Sequence, residues 1–241
     1  MLEITLNSER LRARVADVRQ RIQASAERSK RAVEQITLIA VSKTHPPCVL
    51  QQAIEAGLSD LGENRVQEAE QKIAELRRTI ARWHLIGNLQ ANKARRAVNL
   101  FDLIHTLDSA ALAQRLDRLC VEENRERLPV LVQVNLAGEE AKSGISEGEL
   151  SKLVEEVAAC EHLRLMGLMT IPPFLEDVEQ VRPFFRRLRS LRDQLGSQGY
   201  FGDGRGELSM GMSHDYEAAI EEGATMVRIG TALFGQRAVV T

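Results

Sequence analysis

The sequence is short of several things, and each shortage excludes something. No stretch approaches the roughly 18 consecutive apolar residues of a membrane-spanning helix. The first ten residues, MLEITLNSER, carry charge at Glu3 and Arg10 and lack the apolar centre of a secretory signal. Three cysteines occur in 241 residues, Cys48, Cys120 and Cys160, and none form a CxxC pair. They are expected to be reduced, buried thiols of a cytoplasmic protein and not a disulfide frame. Net charge is nearly absent: 32 Lys+Arg against 34 Asp+Glu leaves −2. A dedicated nucleic-acid binder carries a clear basic excess, so neither nucleic acid nor membrane is expected as a partner. Aromatics are 4% of the chain, and none accompany Arg10, Arg12, Arg14, Arg19 and Arg21 as a base-stacking platform would. With Glu9 and Asp17 interleaved, those arginines read as a solvated helix face. No His/Cys cluster has metal-ligand spacing, and neither GxxxxGKS/T nor GxSxG occurs.

What is present is a rhythm. Eight short apolar runs recur: 36–41, 58–61, 83–86, 102–107, 129–134, 163–169, 207–210 and 226–229. They do not alternate with polar residues, which suits strands buried on both faces of a parallel sheet. Between them lie helical spacings. Val66, Ala69, Ile73, Leu76 and Ile80 step by three and four, as do Val178, Val181, Phe184, Phe185, Leu188, Leu191 and Leu195. Alternating strands and helices mean a barrel or a doubly wound open sheet. Eight strands in about 250 residues is barrel arithmetic. The dinucleotide fingerprint of the open sheet is missing; Gly202-Asp203-Gly204-Arg205-Gly206 has the wrong spacing and reads as a flexible connection. The expected fold is therefore α/β, a single-domain (β/α)8 TIM barrel over 1–241. Residues 1–35 add an N-terminal helical extension that presents Leu11, Val15, Val18 and Ile22 on one face.

In such a barrel, function sits where the strands end. The first run, ITLIAVSK, ends in Lys43, which projects either into the barrel mouth or out to solvent along its own stem. In the mouth, partial burial would favour the neutral amine, the nucleophile for a Schiff base. The segments after the last two runs form the usual barrel phosphate site. Here they read Ser209-Met210-Gly211-Met212-Ser213 and Arg228-Ile229-Gly230-Thr231. Hydroxyls and backbone N–H groups suit phosphate oxygens, although Ser213 also fits the N-cap of a helix over 213–222. A phosphate site opposite a lysine suggests pyridoxal 5'-phosphate, held by both. Arg228 would then face the pyridine nitrogen and keep it unprotonated; a salt bridge to a helix carboxylate is its other reading. Asn64 suits a cofactor contact or a capping box with Gln67. His84 reads as a core histidine, Asp108 as a helix cap or as the partner of His105, and Lys142 as a loop lysine. No metal site and no catalytic residue are assigned.

At these positions the sequence resembles the pyridoxal phosphate homeostasis protein family. The matching stretches are AVSKT (40–44), LGENRVQE (61–68), WHLIGNLQANK (83–93), KSGI (142–145), MGLMTIP (166–172), LSMGMSHDYEAAI (208–220) and MVRIGTALFG (226–235). The resemblance implies a fold-type III barrel like the N-terminal domain of alanine racemase. It implies Lys43 as the lysine that holds pyridoxal phosphate as a Schiff base. Ser209, Gly230 and Thr231 would bind its phosphate, Arg228 would stand beside the pyridine nitrogen, and Asn64 would belong to the GEN motif. Arg65 departs from the tyrosine more usual there. The implied role is to bind and buffer the cofactor without turnover, and to hand it to apo-enzymes that depend on it. Racemases of this type add a second domain that dimerises and supplies a tyrosine; four residues follow Arg237 here, so a monomer is expected. With Tyr200 and Tyr216 the only tyrosines, a second proton carrier is hard to place. The alternatives are an amino-acid racemase-like enzyme and a phosphate-sugar aldolase acting through Lys43.

Overall fold

The apolar runs lie side by side, all pointing the same way. In a computed structural model that describes residues 8–138 and 143–235, nine strands are seen. They are β1 (Thr37–Val41), β2 (Asp60–Glu63), β3 (Arg82–Leu85), β4 (Leu103–Leu107), β5 (Leu128–Asn135), β6 (Ile145–Ser146), β7 (Leu163–Met169), β8 (Glu207–Ser209) and β9 (Met226–Ile229). Hydrogen bonding runs β4-β3-β2-β1-β9-β8-β7-β5, every pair parallel, and β4 also pairs with β5. That last pairing closes eight strands into a cylinder. Each of the eight apolar runs supplies one of them. β6 was not expected: it is two residues long, pairs with β5 at Val134 and Asn135, and is too short to leave a periodic signal.

Helices return the chain between strands: α1 (Ser8–Arg28), α2 (Pro47–Glu55), α3 (Val66–Leu76), α4 (Ala94–Leu100), α5 (Ala110–Glu122), α6 (Leu150–Ala158), α7 (Arg182–Ser197), α8 (Tyr216–Glu221) and α9 (Thr231–Phe234). Their apolar stripes cover the outside of the sheet, where Trp83, Leu85, Phe101, Leu116, Phe185 and Leu188 are fully buried. α3 stops at Leu76, short of Ile80, because Arg77 turns to a φ of 71°. Ile80 still packs on the core, from the short 3-10 turn that follows.

The N-terminal helix buries the face its spacing indicates: Leu11, Val15, Val18 and Ile22 are at most 4% exposed. It lies against α8 and α9. Its arginines are more than a solvated face. Arg19 Nη2 donates to Gly57 O at 2.6 Å, Arg21 pairs with Glu217, and Arg28 Nε donates to Glu221 Oε1 at 2.7 Å. Cys120 and Cys160 are buried, but Cys48 is exposed, because it stands in the first turn of α2.

A second, smaller core fills the cylinder itself: Ile39, Leu103, Leu131, Met169 and Met226, with Met166 beside them. Close packing here excludes side chains. A Cβ on Gly62 would lie 2.9 Å from Ile39 Cγ2 and 3.0 Å from Ile86 Cδ1. Large-to-small changes in either core cost about 2–5 kcal/mol. Leu61→Ala, at a fully buried β2 position, is expected to lower stability by about 3 kcal/mol in urea unfolding.

Candidate functional site

The turn after β1 carries Lys43, and the residues on either side of it are tied down. Ile39 and Val41 share one face of β1, and Lys43 stands two residues beyond its end, half-buried. Ser42 is fully buried, and its Oγ donates to Glu63 Oε1 at 2.6 Å. Lys72, from α3, donates through Nζ to Ser42 O, Glu63 Oε1 and Glu68 Oε1 at 2.8, 2.7 and 2.6 Å. Thr44 N–H donates to Glu68 Oε1 at 2.5 Å. Thr44 has a φ of 69°, a strained conformation for a β-branched residue, and that bond helps to hold it. Burial pushes the Glu63 carboxyl up, with Lys72 and Ser42 opposing.

The sequence reading missed Glu63, Glu68 and Lys72. The signals were a carboxylate closing an apolar strand, and a lysine next to Ile73 on the buried stripe of α3.

The other expected residues gather around the same rim. β9 lies between β1 and β8, with Ile39 in register with Arg228 and Ala40 with Ile229. Gly230 is packed on Val41: a Cβ built there would sit 3.4 Å from Val41 Cβ. Asn64 follows β2, and Ser209 ends β8. Asn64, Lys43, Arg228, Gly230, Thr231 and Ser209 thus come from four consecutive strands, β2-β1-β9-β8. Asn64 sits against β3's exit, since a Cβ on Gly87 would fall 2.3 Å from Asn64 O.

Arg228 is buried to 3% exposure. Its Nη1 donates to Ser209 Oγ at 2.6 Å and its Nη2 to Thr170 O at 2.8 Å, so the helix-carboxylate salt bridge is not its arrangement. Burial pushes its guanidinium down to about 10, with Asp215 opposing, and it remains a cation at neutral pH.

Four local readings are corrected. Ser213 does not cap its own helix. α8 begins at Tyr216 after Asp215, and Asp215 Oδ1 accepts from Met212 N–H at 2.6 Å. Ser213 Oγ instead accepts from Gly230 N–H and Ala232 N–H, at 3.2 and 3.3 Å. Asn64 is not in a capping box, because Arg65, exposed, is the N-cap residue of α3. Asp108 is not the cap of α5; Ser109 is, accepting from Leu112 N–H at 3.4 Å. His105 pairs with His84 and Ser209 rather than with Asp108. Lys142 lies outside the described residues.

Neither tyrosine is at the rim. Tyr216 is 1% exposed under α1, where Arg21 covers its ring, and burial pushes its hydroxyl up to about 12. Tyr200 lines a cleft of about 1390 Å³ with Lys30, Arg31, Arg164 and Glu207, at the end of the barrel where strands begin. None of the six expected residues touches that cleft. Among the described residues no helix is long and apolar enough to cross a membrane, and no cluster of His, Cys, Asp or Glu could hold a metal.

The family described as alanine racemase, N-terminal domain, matches residues 16–238. The pyridoxal phosphate homeostasis protein of Aquifex aeolicus is 45% identical over 224 residues, covering 93% of this chain and 97% of that protein. The chain belongs to the pyridoxal phosphate homeostasis protein family. The Escherichia coli K12 homeostasis protein is 44% identical over 238 residues, covering 92% of this chain and 95% of that one. PipY of Synechococcus elongatus, solved with pyridoxal phosphate bound, superposes with a TM-score of 0.81 at 38% identity, over 93% of this chain and 100% of that one. An alanine racemase of Clostridium difficile shares the fold alone, at a TM-score of 0.74 and 17% identity, over 96% of this chain and 58% of that one. The expected α/β barrel, like the N-terminal domain of alanine racemase, is thus the fold of this homeostasis family member.

Two outcomes test the electrostatics. Lys72→Met strands two carboxylates against Ser42 O, and breaking a buried pair costs about 3–5 kcal/mol. A loss of about 3 kcal/mol in denaturant unfolding is expected for this variant. For Asp60, burial pushes the carboxyl up, but hydrogen bonds from His84 and Ser59 and the charge of Arg82 hold it below its ordinary 3.8. Its contribution is therefore present above that value and lost as the pH falls through the lower folded value. Asp60→Asn is expected to unfold more easily than wild type at neutral pH, with the difference closing under strong acid.

Proposed function

We propose that this protein binds pyridoxal 5'-phosphate and keeps it in reserve, attached through Lys43. The observation that carries the reading is an amine-bearing turn and a convergent pair of N–H groups, placed side by side at one rim. Gly230 N–H and Ala232 N–H already point at one oxygen, that of Ser213. A phosphate oxygen is a stronger acceptor for the same donors. When bound, the cofactor supplies an aldehyde that condenses with an amine, releasing water.

The chain's own residues divide the remaining tasks. Glu63, Glu68 and Lys72 hold the backbone on both sides of Lys43, so the amine is presented from a fixed turn. Ser209, Gly230 and Thr231 hold the phosphate. Arg228, fixed by Ser209 and Thr170 O, faces the ring nitrogen. A guanidinium has no proton to give up at neutral pH and only donates hydrogen bonds, so it keeps that nitrogen unprotonated and weakens the ring as an electron sink. Asn64 closes the edge of the site next to Lys43.

Storage rather than turnover is supported by where the two tyrosines lie among the described residues. Racemisation needs proton carriers on two faces of a substrate. Tyr216 is sealed under α1 and Tyr200 stands at the other end. His105 is fully buried, and burial, with the nearby guanidinium charges of Arg228 and Arg82, holds it well below its ordinary value, so it stays neutral. The protein acts as a cytoplasmic monomer and passes the cofactor to apo-enzymes that depend on it.

Protein loaded with pyridoxal phosphate is expected to show a visible band and, after borohydride, a mass increase on the peptide carrying Lys43. Lys43→Ala should lose both. A band that survives that substitution places the attachment elsewhere. Solvent deuterium entering Cα of an amino acid during steady turnover would replace the storage reading with a racemase.

A further inference from the structure

Five buried side chains cross the interior of the cylinder in a line. Asp60 Oδ1 is 2.9 Å from His84 Nε2, and His84 Nδ1 is 2.9 Å from His105 Nε2. His105 Nδ1 is 2.8 Å from Ser209 Oγ, which is 2.6 Å from Arg228 Nη1. His84, His105 and Ser209 are 0% exposed, Arg228 is 3% and Asp60 8%. The line joins the barrel's N-terminal end, where Asp60 begins β2, to the rim that carries Lys43 and Gly230.

The two ends fix the direction of every bond between them. A guanidinium only donates, and a carboxylate only accepts. With Asp60 ionised and both imidazoles neutral, Arg228 donates to Ser209, Ser209 to His105 Nδ1, His105 Nε2–H to His84 Nδ1, and His84 Nε2–H to Asp60. In that state the Ser209 proton points inward, away from any ligand.

A phosphate oxygen bound at Ser209 needs that proton. If the hydroxyl turns to supply it, two lone pairs face each other between Ser209 Oγ and His105 Nδ1. The conflict is removed when His105 moves its own proton to Nδ1 and donates to Oγ. His105 Nε2 then accepts, so His84 must donate from Nδ1 while still donating from Nε2 to Asp60. His84 then carries one proton more than before. The balance is one proton taken from water: the line goes from net zero, Arg228 against Asp60, to +1, opposite the incoming anion. A way in for that proton exists, since Asp60 lines a solvent-open cleft of about 450 Å³ with Arg19, Gly57 and Ser59.

We propose that phosphate binding at Ser209 is coupled to uptake of one proton by the His84–Asp60 pair at the far end of the barrel. His84 and His105 are positioning residues that set the direction of the Ser209 hydroxyl. The inference rests on the reading of Ser209 as a phosphate ligand. The charged groups facing the line are Arg82, from β3, 3.6 Å from Asp60, together with Arg228 and, beyond it, Asp215. Arg82 and Arg228 oppose a charge on His84, and Asp60 favours it. The extra proton belongs to the pair as a unit.

The test uses pyridoxine 5'-phosphate, which has the phosphate and no aldehyde, so attachment to Lys43 plays no part. Nitrogen NMR of wild-type protein with labelled histidine is expected to show His105 unprotonated at Nδ1 when free and protonated at Nδ1 when loaded. Calorimetry in buffers of different ionisation enthalpy is expected to show about one more proton taken up by wild type than by Asp60→Asn. On the alkaline side of the pair's titration, wild-type affinity should fall about tenfold per pH unit relative to that variant. Binding with the same His105 tautomer in both states, or equal uptake in both proteins, overturns the coupling alone. A wild-type protein that binds none of the probe overturns the phosphate reading of Ser209 and the coupling with it.

Discussion

A polar group buried inside a closed sheet has no water to turn to, so its partners must come from the other strands. That constraint shapes the interior of this barrel. Five apolar side chains fill part of the cylinder, and the remaining space is given to groups that satisfy one another, from Asp60 through to Arg228. The arrangement depends on strand register. His84 meets Asp60 and His105 only because β2, β3 and β4 are aligned as they are. A slip of one residue would turn each of these side chains to the opposite face of its strand.

The architecture was legible in the sequence because it rests on local signals. Unbroken apolar runs and helical spacing identify eight strands and the helices between them, and closure follows from their number. Lys43, Arg228 and Gly230 could be brought together because strand ends in a barrel share one rim. What could not be read depends on pairing between distant residues. His84 and His105 are 21 residues apart and each alone suits a core histidine; their bond follows from register. Ser213 stands where a cap is common, yet its acceptor oxygen is used by Gly230 and Ala232 from the next turn. Asp108 and Ser109 are adjacent candidates for one cap, and backbone geometry, not residue type, chooses Ser109.

Lys43 and Lys72 illustrate how surroundings assign a role to a residue type. Lys72 is enclosed by two carboxylates and a carbonyl, and every proton of its ammonium has an acceptor. Such an amine serves as a structural tie. Lys43 leaves a turn that this tie immobilises. The charge of one lysine thus steadies the position of the other, through the backbone at Ser42 and Thr44.

The seam between β1 and β9 has a kinetic consequence. Thr37–Ile39 pair with Met226–Arg228, almost two hundred residues later in the chain. During synthesis the edge of the first strand stays open until the last one leaves the ribosome, and open parallel edges are where nascent chains stick to one another. α1 lies against α8 and α9, so its apolar stripe also stays uncovered until those later segments have been made. Both seams thus close late, and translation of β9 and α9 sets the earliest moment at which that can happen.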